Sequence, residues 1–525
     1  MKDCTIFWGE THDNSIVAMR EPVPAIEAVV KATSHLDFYA AAYYTAFWPG
    51  IADGGHPSEG KQPARIILEG WKDQKRLSKE WADVQDATCK MNQPGTFVTF
   101  PGYEWQGDGS SGDHNVVYLR EGLPIHRVNT IAELYTRLRG HDAIAVPHHI
   151  AYRAGVRGRD WSVFDEQLSP FAEIYSIHGC SETDEEWVGL RQNSHMGPGL
   201  SGGTYQDALD RGLHVGAICS TDNWGDMPGH YGRGLMACVA RELTREGLWE
   251  AFKARRVYGV TGDRIRLDFR IGDAVMGEIA RLNGSRRIGV KVVGSDALDR
   301  IEILRNGRVI ATHCHQGTWD MPQPGTRTRF KLRIEAGWGP REGEVSLPDR
   351  RWEGEVRVSG GRMLAFEPCW ISPGQGRPVL KDERATFEMM SSAKNVSERA
   401  QNADVFEFEA DAGAQLLVRM NGMEQQGTAQ DFARGSREMW FRDECVQMLH
   451  EMCGVRPGSP ERNDIYHHMA YKVKIHRLIP EAAYTAEFHM EDNEPLRGET
   501  EYRVRVEQRN AQRAWSSPIW VRPGW

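Results

Sequence analysis

Histidines and acidic residues recur just after the apolar runs in the first half of this 525-residue chain. "TIFWGET" runs into His12, "TFVTFPGYE" into Glu104, and "GDH" sets His114 ahead of "NVVYL". "AIAVP" is followed by His148 and His149, "AEIYSI" by His178, and "HVGAICST" by Asp222. Imidazoles and carboxylates together form a donor set for a divalent cation such as Zn²⁺, Mn²⁺ or Fe²⁺. Taken singly, each residue reads as an ordinary core or loop side chain. In the same place after successive runs, they read as one metal site. A cation there would lower the pKa of bound water to about 7, which points to hydrolysis. Asn14 stands two residues after His12, where a His-x-His strand end would offer a second imidazole.

Such residues meet only if the runs are strands whose C-terminal ends share one face, as in parallel α/β barrels. The expected strands are "TIFW", "LDFYAAAYY", "TFVTF", "NVVYL", "AIAVP", "AEIYSI", "HVGAICS" and "RVYGVT". Between them, Ile131, Leu134 and Leu138 keep helical spacing, as do Leu248 and Phe252 behind Thr244, a candidate N-cap. Residues 61–92, with Ile67, Trp71, Trp81 and Val84 among charges, read as a longer surface helix. After Gly262 the pattern changes to period two, as in "RIGVKVVG" and "RTRFKLRIEA", with Asn306-Gly307 as a hairpin turn. The expected organisation is an α/β domain over residues 1–262 and a β-rich, sandwich-like domain over 263–525. A helical interruption is expected near Met439 to Met452.

The bulk composition is that of a soluble globular chain, 40% hydrophobic and 26% charged, with a net charge of −9. No basic stripe points to nucleic acid, and no apolar run is long enough to span a bilayer. Nine cysteines occur singly, without CxxC pairs, which favours a reducing, cytoplasmic setting over a disulfide framework.

The segments "WGETHDNS", "LDFYAAAYY", "FPGYEW…GDHNVVYL", "AVPHHI", "EIYSIHG" and "STDNWGDMPGHYGRG" resemble, in order, the motifs of the PHP (polymerase and histidinol phosphatase) superfamily. The chain looks most like a branch of PHP-like proteins with a β-rich C-terminal region. The resemblance extends to the closing "YRVRVEQRNAQRAWSSPIWV", while residues 310–480 carry little of it. It implies a distorted (β/α)7 barrel, up to three divalent metals and phosphoesterase activity. By position, His12 matches the first histidine and Asn14 replaces the second. Glu104 matches the bridging glutamate, and Asp222 the aspartate that caps the first metal. His114 and His148 match the ligands of the second metal, with His149 a competing choice.

At the third metal, Tyr43-Tyr44 replace an Asp-His pair and Trp224 replaces a histidine. A phenol or an indole is a poor ligand at neutral pH. The third site is therefore expected to be lost. A Glu104-bridged pair, or one ion at His114, His148 and Glu104, would remain, with the His12 side the weaker. Tyr43, Tyr44 and Trp224 would then contact substrate, and His230 and Arg233 would hold an anionic group. Asp222 or His178 would serve as general acid or base.

The expected function is a metal-dependent hydrolase of a small phosphoester. The alternatives are an amidohydrolase-like hydrolase or metal-assisted lyase, and a catalytically inactive binding barrel. A homo-oligomer is compatible with this reading. His313 and His315 read as surface residues, His467-His468 as uninformative, and the loop around His56 as a candidate lid. Cys180 and Cys219 read as packing residues. "GDGSSGD" lacks the spacing and lysine of a phosphate-binding P-loop.

Overall fold

The computed structural model describes residues 4–14, 35–45, 73–155, 157–186, 190, 198–222, 227–315, 320–339, 349–391, 401–454 and 471–524. Two compact units divide the chain. One takes Met1–Val292, Asp299–Cys314 and Glu487–Trp525, and the other Val293–Leu298 and His315–Ala486. The division does not fall at residue 262, because the closing strands return to the first unit. Ala514 to Ser516 pair antiparallel with Tyr258 to Val260.

In chain order, the strands that bear on the site begin with β1 (Thr5–Glu10), β2 (Phe38–Ala40) and β3 (Tyr43–Tyr44). Next come β4 (Val98–Phe100), β5 (Gly102–Trp105), β6 (His114–Tyr118) and β7 (Ala143–Pro147). The last are β8 (Phe171–Ser176), β9 (Gly179–Cys180), β10 (Gly216–Cys219), β11 (Leu235–Ala240) and β12 (Val257–Val260). β1 runs parallel to β2, and β2 to β4. A few residues on, the same segments pair again as β3 and β5. β8 and β10 are also parallel.

A regular (β/α)7 barrel needs parallel neighbours throughout, and the described pairing departs from that. β1 with β11, β11 with β12, β5 with β6, and β6 with β7 are all antiparallel. Mixed α/β, rich in strands and sparing in helices, is the architecture observed. β11 escaped the sequence reading. Its six residues, "LMACVA", are all buried, and a short continuous apolar run of this kind does not declare its secondary structure.

The helices form where local signals favour them. Ile131–Leu138 starts at Thr130, whose side chain and Glu133 form a reciprocal capping box. Arg245–Lys253 starts at Thr244, which accepts from the Gly247 N–H. Gln74–Met91 is capped by Asp73 and buries Leu77, Trp81 and Val84. The residues before it, 61–72, lie outside the described ones. No helix among the described residues is long and apolar enough to cross a membrane.

The closing strands are tied to the first unit by charge as well as by pairing. Glu182, fully buried just beyond β9, accepts from Arg503, from Arg505 at 3.1 Å and from the Trp515 indole at 2.7 Å. The Asn306-Gly307 turn also belongs to this unit, with φ of 45° and 73° in a hairpin between Leu298–Arg305 and Arg308–Cys314.

The second unit is β-rich. One sheet orders Arg362–Cys369, Asn402–Asp411, Arg327–Trp338, Tyr471–Ile475 and Arg437–Trp440. Another is built around Arg384–Ser391, Arg350–Val358 and Gln415–Met420. Alternate residues of both sheets, among them Leu332, Ile334, Phe406 and Phe408 from one and Trp352, Val356, Phe387 and Val418 from the other, share one core. Arg442–Cys453 is the helical interruption.

Two buried carboxyl groups give tests of these units. Removing one partner of a buried pair strands the other, so Glu182→Gln should destabilise the first unit by about 3–5 kcal/mol, read from urea unfolding. In the second unit, burial pushes the Asp404 carboxyl up to about 7, against one bond from the Trp370 indole. The folded state thus holds this proton more tightly than the unfolded chain does. Its stabilising contribution is full below the unfolded pKa of about 3.9 and is lost as pH rises through about 7. Asp404→Asn should therefore gain on the order of 2–4 kcal/mol relative to wild type between pH 4 and pH 8. A urea-midpoint difference that did not change with pH would contradict this.

Candidate metal centre

β1 ends at Glu10, and the backbone continues through Thr11 to Asn14 with every residue buried. The Glu10 carboxylate accepts the N–H groups of His12 at 2.8 Å, Thr221 at 3.1 Å and Gly229 at 3.1 Å. Burial nevertheless raises this carboxyl to about 7. It draws the end of β1, the turn after β10 and the turn before β11 to one point. The Asp222 N–H then donates to the His12 carbonyl at 2.7 Å. Two residues more than 200 positions apart become backbone neighbours.

Around this point the side chains interlock. His12 Nδ1 lies 2.8 Å from Glu173 Oε2. A carboxylate accepts, so Nδ1–H donates and Nε2 is directed elsewhere. His12 Nε2 lies 3.2 Å from Asp222 Oδ1 and 3.7 Å from Glu104 Oε2. His148 Nε2 is 3.8 Å from Glu104 Oε1, and the His12 and His148 rings are 4.1 Å apart. His178 Nε2 reaches Asp222 Oδ2 at 2.8 Å, and its Nδ1 reaches the Tyr152 hydroxyl at 2.9 Å. His149 Nε2 faces Asp113 Oδ2 at 3.4 Å.

Four groups result, each with ligand atoms within 4.8 Å of one another. They are His12–Glu104–His148, Asp113–His148–His149, His149–His178–Asp222 and His12–Glu173–Asp222. Each shares one residue with the next, so the four close into a ring.

The donor atoms fit a cation. Glu104 Oε2 and both ring nitrogens of His148 are buried without a hydrogen-bond partner among the described residues. Each such atom costs about 1–3 kcal/mol if left unmade, and a bound ion offsets that cost. Burial keeps the His148 imidazole well below its ordinary pKa, aided by the charge of His12. Neutral imidazole is the ligating form. Burial alone would raise the Asp222 carboxyl, but the charges of His12 and His178 hold it well below the usual range. Burial opposes a proton on His12, yet Asp222 and Glu173 push its pKa well up. The same negative field would attract a divalent cation. His149, Arg157 and Asp222 also adopt left-handed backbone, with φ of 35°, 66° and 49°. Non-glycine residues hold such conformations at about 1–3 kcal/mol each, commonly at functional sites.

His12, Glu104, His148, His149, His178 and Asp222 are thus brought together, and His114 stands apart. It pairs directly with Trp105 across β5 and β6, while Glu104 pairs with Asn115. Directly opposed residues share a face and successive ones alternate, so His114 and Glu104 lie on opposite faces. His114 Nδ1 donates to the Gly112 carbonyl at 3.1 Å, and the residue belongs to none of the four groups. Beside Glu104 and His148, the place expected for His114 is taken by His12.

Parity also separates the two tyrosines on β3. Tyr44 OH accepts from Gln106 Nε2 at 2.6 Å, and Gln106 also bonds Glu104 at 2.7 Å. Tyr43 turns the other way, donating to Glu80 at 2.5 Å within a core that includes Trp81 and Tyr103. It is a packing residue here and not a pocket lining. Trp224 and His56 lie outside the described residues. Asn14 Nδ2 donates to Asp222 at 3.0 Å, so Asn14 braces a carboxylate at the position where a His-x-His strand end would offer a second imidazole.

His230 is buried and donates to the Tyr231 carbonyl at 3.0 Å. Burial and Arg233 pull its pKa to about 3, so it is neutral. Burial lowers Arg233 to about 10 against the charges of Asp13 and Asp222, leaving a cation in the field of the site. Burial pushes the Cys180 and Cys219 thiols well up, consistent with packing.

The sequence reading missed Glu10, Asp113, Tyr152, Arg157 and Glu173. Glu173 carried a signal, a lone carboxylate inside the apolar strand "FAEIYS". Arg157, in a loop, carried none.

A sequence profile described as a protein of unknown function, DUF3604, matches residues 51–134. Uncharacterised proteins of Chlamydia pneumoniae, Chlamydia muridarum and Chlamydia trachomatis are 29%, 30% and 28% identical over 46%, 46% and 55% of this chain. The matches span 42%, 40% and 49% of those relatives, so the chain covers about half of their length or less. Among solved structures, a two-domain protein of Bacteroides vulgatus, described as containing a predicted PHP-like metal-dependent phosphoesterase, aligns over 58% of this chain and 80% of its own. Identity is 12% and the TM-score 0.32. So distant a likeness carries no argument about this chain.

The Glu173 bond makes the orientation of His12 testable. Glu173→Gln should weaken Mn²⁺ binding about 10–100-fold in calorimetric titration, with the circular dichroism spectrum retained. Unchanged affinity would mean that His12 needs no carboxylate to aim it.

Proposed function

We propose that this protein is a metal-dependent hydrolase acting on a small phosphoester. The carrying observation is the closed ring of four metal-capable groups, in which buried Glu104 and His148 atoms have no hydrogen-bond partner among the described residues. Nitrogen and oxygen donors without thiolate suit Zn²⁺, Mn²⁺ or Fe²⁺. His12, Glu104 and His148 would hold one ion, and His149 and Asp222 would be donors for a second. No third ion is expected, since the Tyr43 and Tyr44 phenols are engaged by Glu80 and Gln106. A cation bound here supplies Lewis acidity and a water acidified to a pKa near 7.

The chain's own groups divide the remaining work. Glu173 orients His12, and Asn14 braces Asp222. Asp222, kept ionised, holds the Nε2 proton of His178, which is positioned to pass it to a leaving oxygen. Arg233 contributes positive charge toward an anionic substrate group, and Tyr44 lies beside Glu104 through Gln106. Burial around His12 and Glu104 keeps bulk water away from the reacting groups.

Purified protein loaded with Mn²⁺ or Zn²⁺ should retain at least about one equivalent per chain and hydrolyse small phosphoesters. Glu104→Ala should reduce that turnover by more than about 100-fold, since loss of a ligand exceeds the usual cost of an outer partner. A fully metallated protein that cleaves amides and leaves every phosphoester intact would instead indicate amidohydrolase-like chemistry. Protein that takes up no metal would leave the inactive binding barrel.

A further inference from the structure

One corner of the ring already contains a cation. Arg157 is buried, and its guanidinium grips Asp113, which is fully buried, through Nε at 2.7 Å and through Nη2. Both bonds fall on Oδ2, the oxygen that also faces His149 Nε2 at 3.4 Å. Nη2 lies 4.0 Å from Glu104 Oε1 as well. The chain places Arg157 there at a conformational cost. Its φ is 66°, and its N–H is held by the Gly109 carbonyl at 2.8 Å. Gly109 belongs to the glycine-rich "GDGSSGD" loop, which also supplies Asp113.

We infer that the Arg157 guanidinium substitutes for a metal ion at the Asp113–His148–His149 group, confining metal to the His12 and Asp222 side of the ring. This inference rests on the metal reading above. A guanidinium does not deprotonate in a protein, so the charge is permanent. The Asp113 oxygen turned toward His149 is already committed to it. A divalent ion at that corner would face a like charge at close range in a low-dielectric interior, where such repulsion is strong. His149 is thereby left to the Asp222 side, and Glu104 feels a fixed positive charge on the flank away from His12.

The test is metal stoichiometry, read without any substrate. Mn²⁺-loaded Arg157→Met should bind about one equivalent more per chain than wild type, by elemental analysis after gel filtration. Arg157→Lys, which keeps a positive charge, should bind the same amount as wild type. In crystals of wild-type protein soaked in Mn²⁺, anomalous density should lie beside His12 and none should lie in coordination distance of Asp113. A wild-type peak bound to Asp113 and His149 would overturn the inference, as would an Arg157→Met protein that folds and gains nothing. If Arg157→Met does not fold, the wild-type crystal decides alone. Wild-type protein devoid of metal would instead count against the hydrolase reading, and a metal gained by Arg157→Met would still support the role of Arg157.

Discussion

The Glu10 carboxylate is the interaction on which the site depends. It sits where β1 ends and accepts three backbone N–H groups from three separate stretches of chain, at His12, Thr221 and Gly229. Backbone donors buried without acceptors are costly, and one carboxylate satisfies all three. Because the bonds are to backbone, they set chain positions and leave side chains free to face inward. The His12 carbonyl and the Asp222 N–H meet as a consequence, and the imidazole and carboxylate beyond them converge.

Charge balance shapes everything around that point. Buried carboxylates at Glu104, Asp113, Glu173 and Asp222 create a negative interior that must be matched. Histidines match part of it, with Glu173 and Asp222 favouring a proton on His12, while Arg157 is pinned to Asp113. The charge left over is what a divalent cation would match. The same principle recurs at Glu182, where Arg503 and Arg505 neutralise a fully buried carboxylate and join the closing strands to the first unit. Burying one partner of such a pair without the other is strongly unfavourable, so these pairs constrain how the chain closes.

Much of the site was legible from residue types at the ends of apolar runs. His12, Glu104, His148, His149, His178 and Asp222 converge because a strand end is where a polar side chain can leave the core. Helix starts were legible at Thr130 and Thr244, since capping is decided within a few residues. The Asn306-Gly307 turn was legible for the same reason. Reading failed where strand parity or long-range pairing decides. Tyr43 and Tyr44 are adjacent and chemically alike, yet one faces Glu80 and the other Gln106. His114 sits one step out of phase with Glu104 because Trp105 is its partner across the sheet. β11, and the return of residues 500–523 to the first unit, depend on pairings that no local pattern announces.

The sequence by itself determined most of the residues that could bind a cation, where most strands end, and that the chain passes from α/β to β-rich. These follow from local hydrophobic period and side-chain chemistry. Only the tertiary structure decided which imidazole meets which carboxylate. That choice set His12 in place of His114 beside Glu104, turned Glu173 onto His12, and pinned Arg157 to Asp113. Its physical basis is register: a shift of one residue along a strand moves a side chain to the opposite face, and register is set by partners distant in sequence.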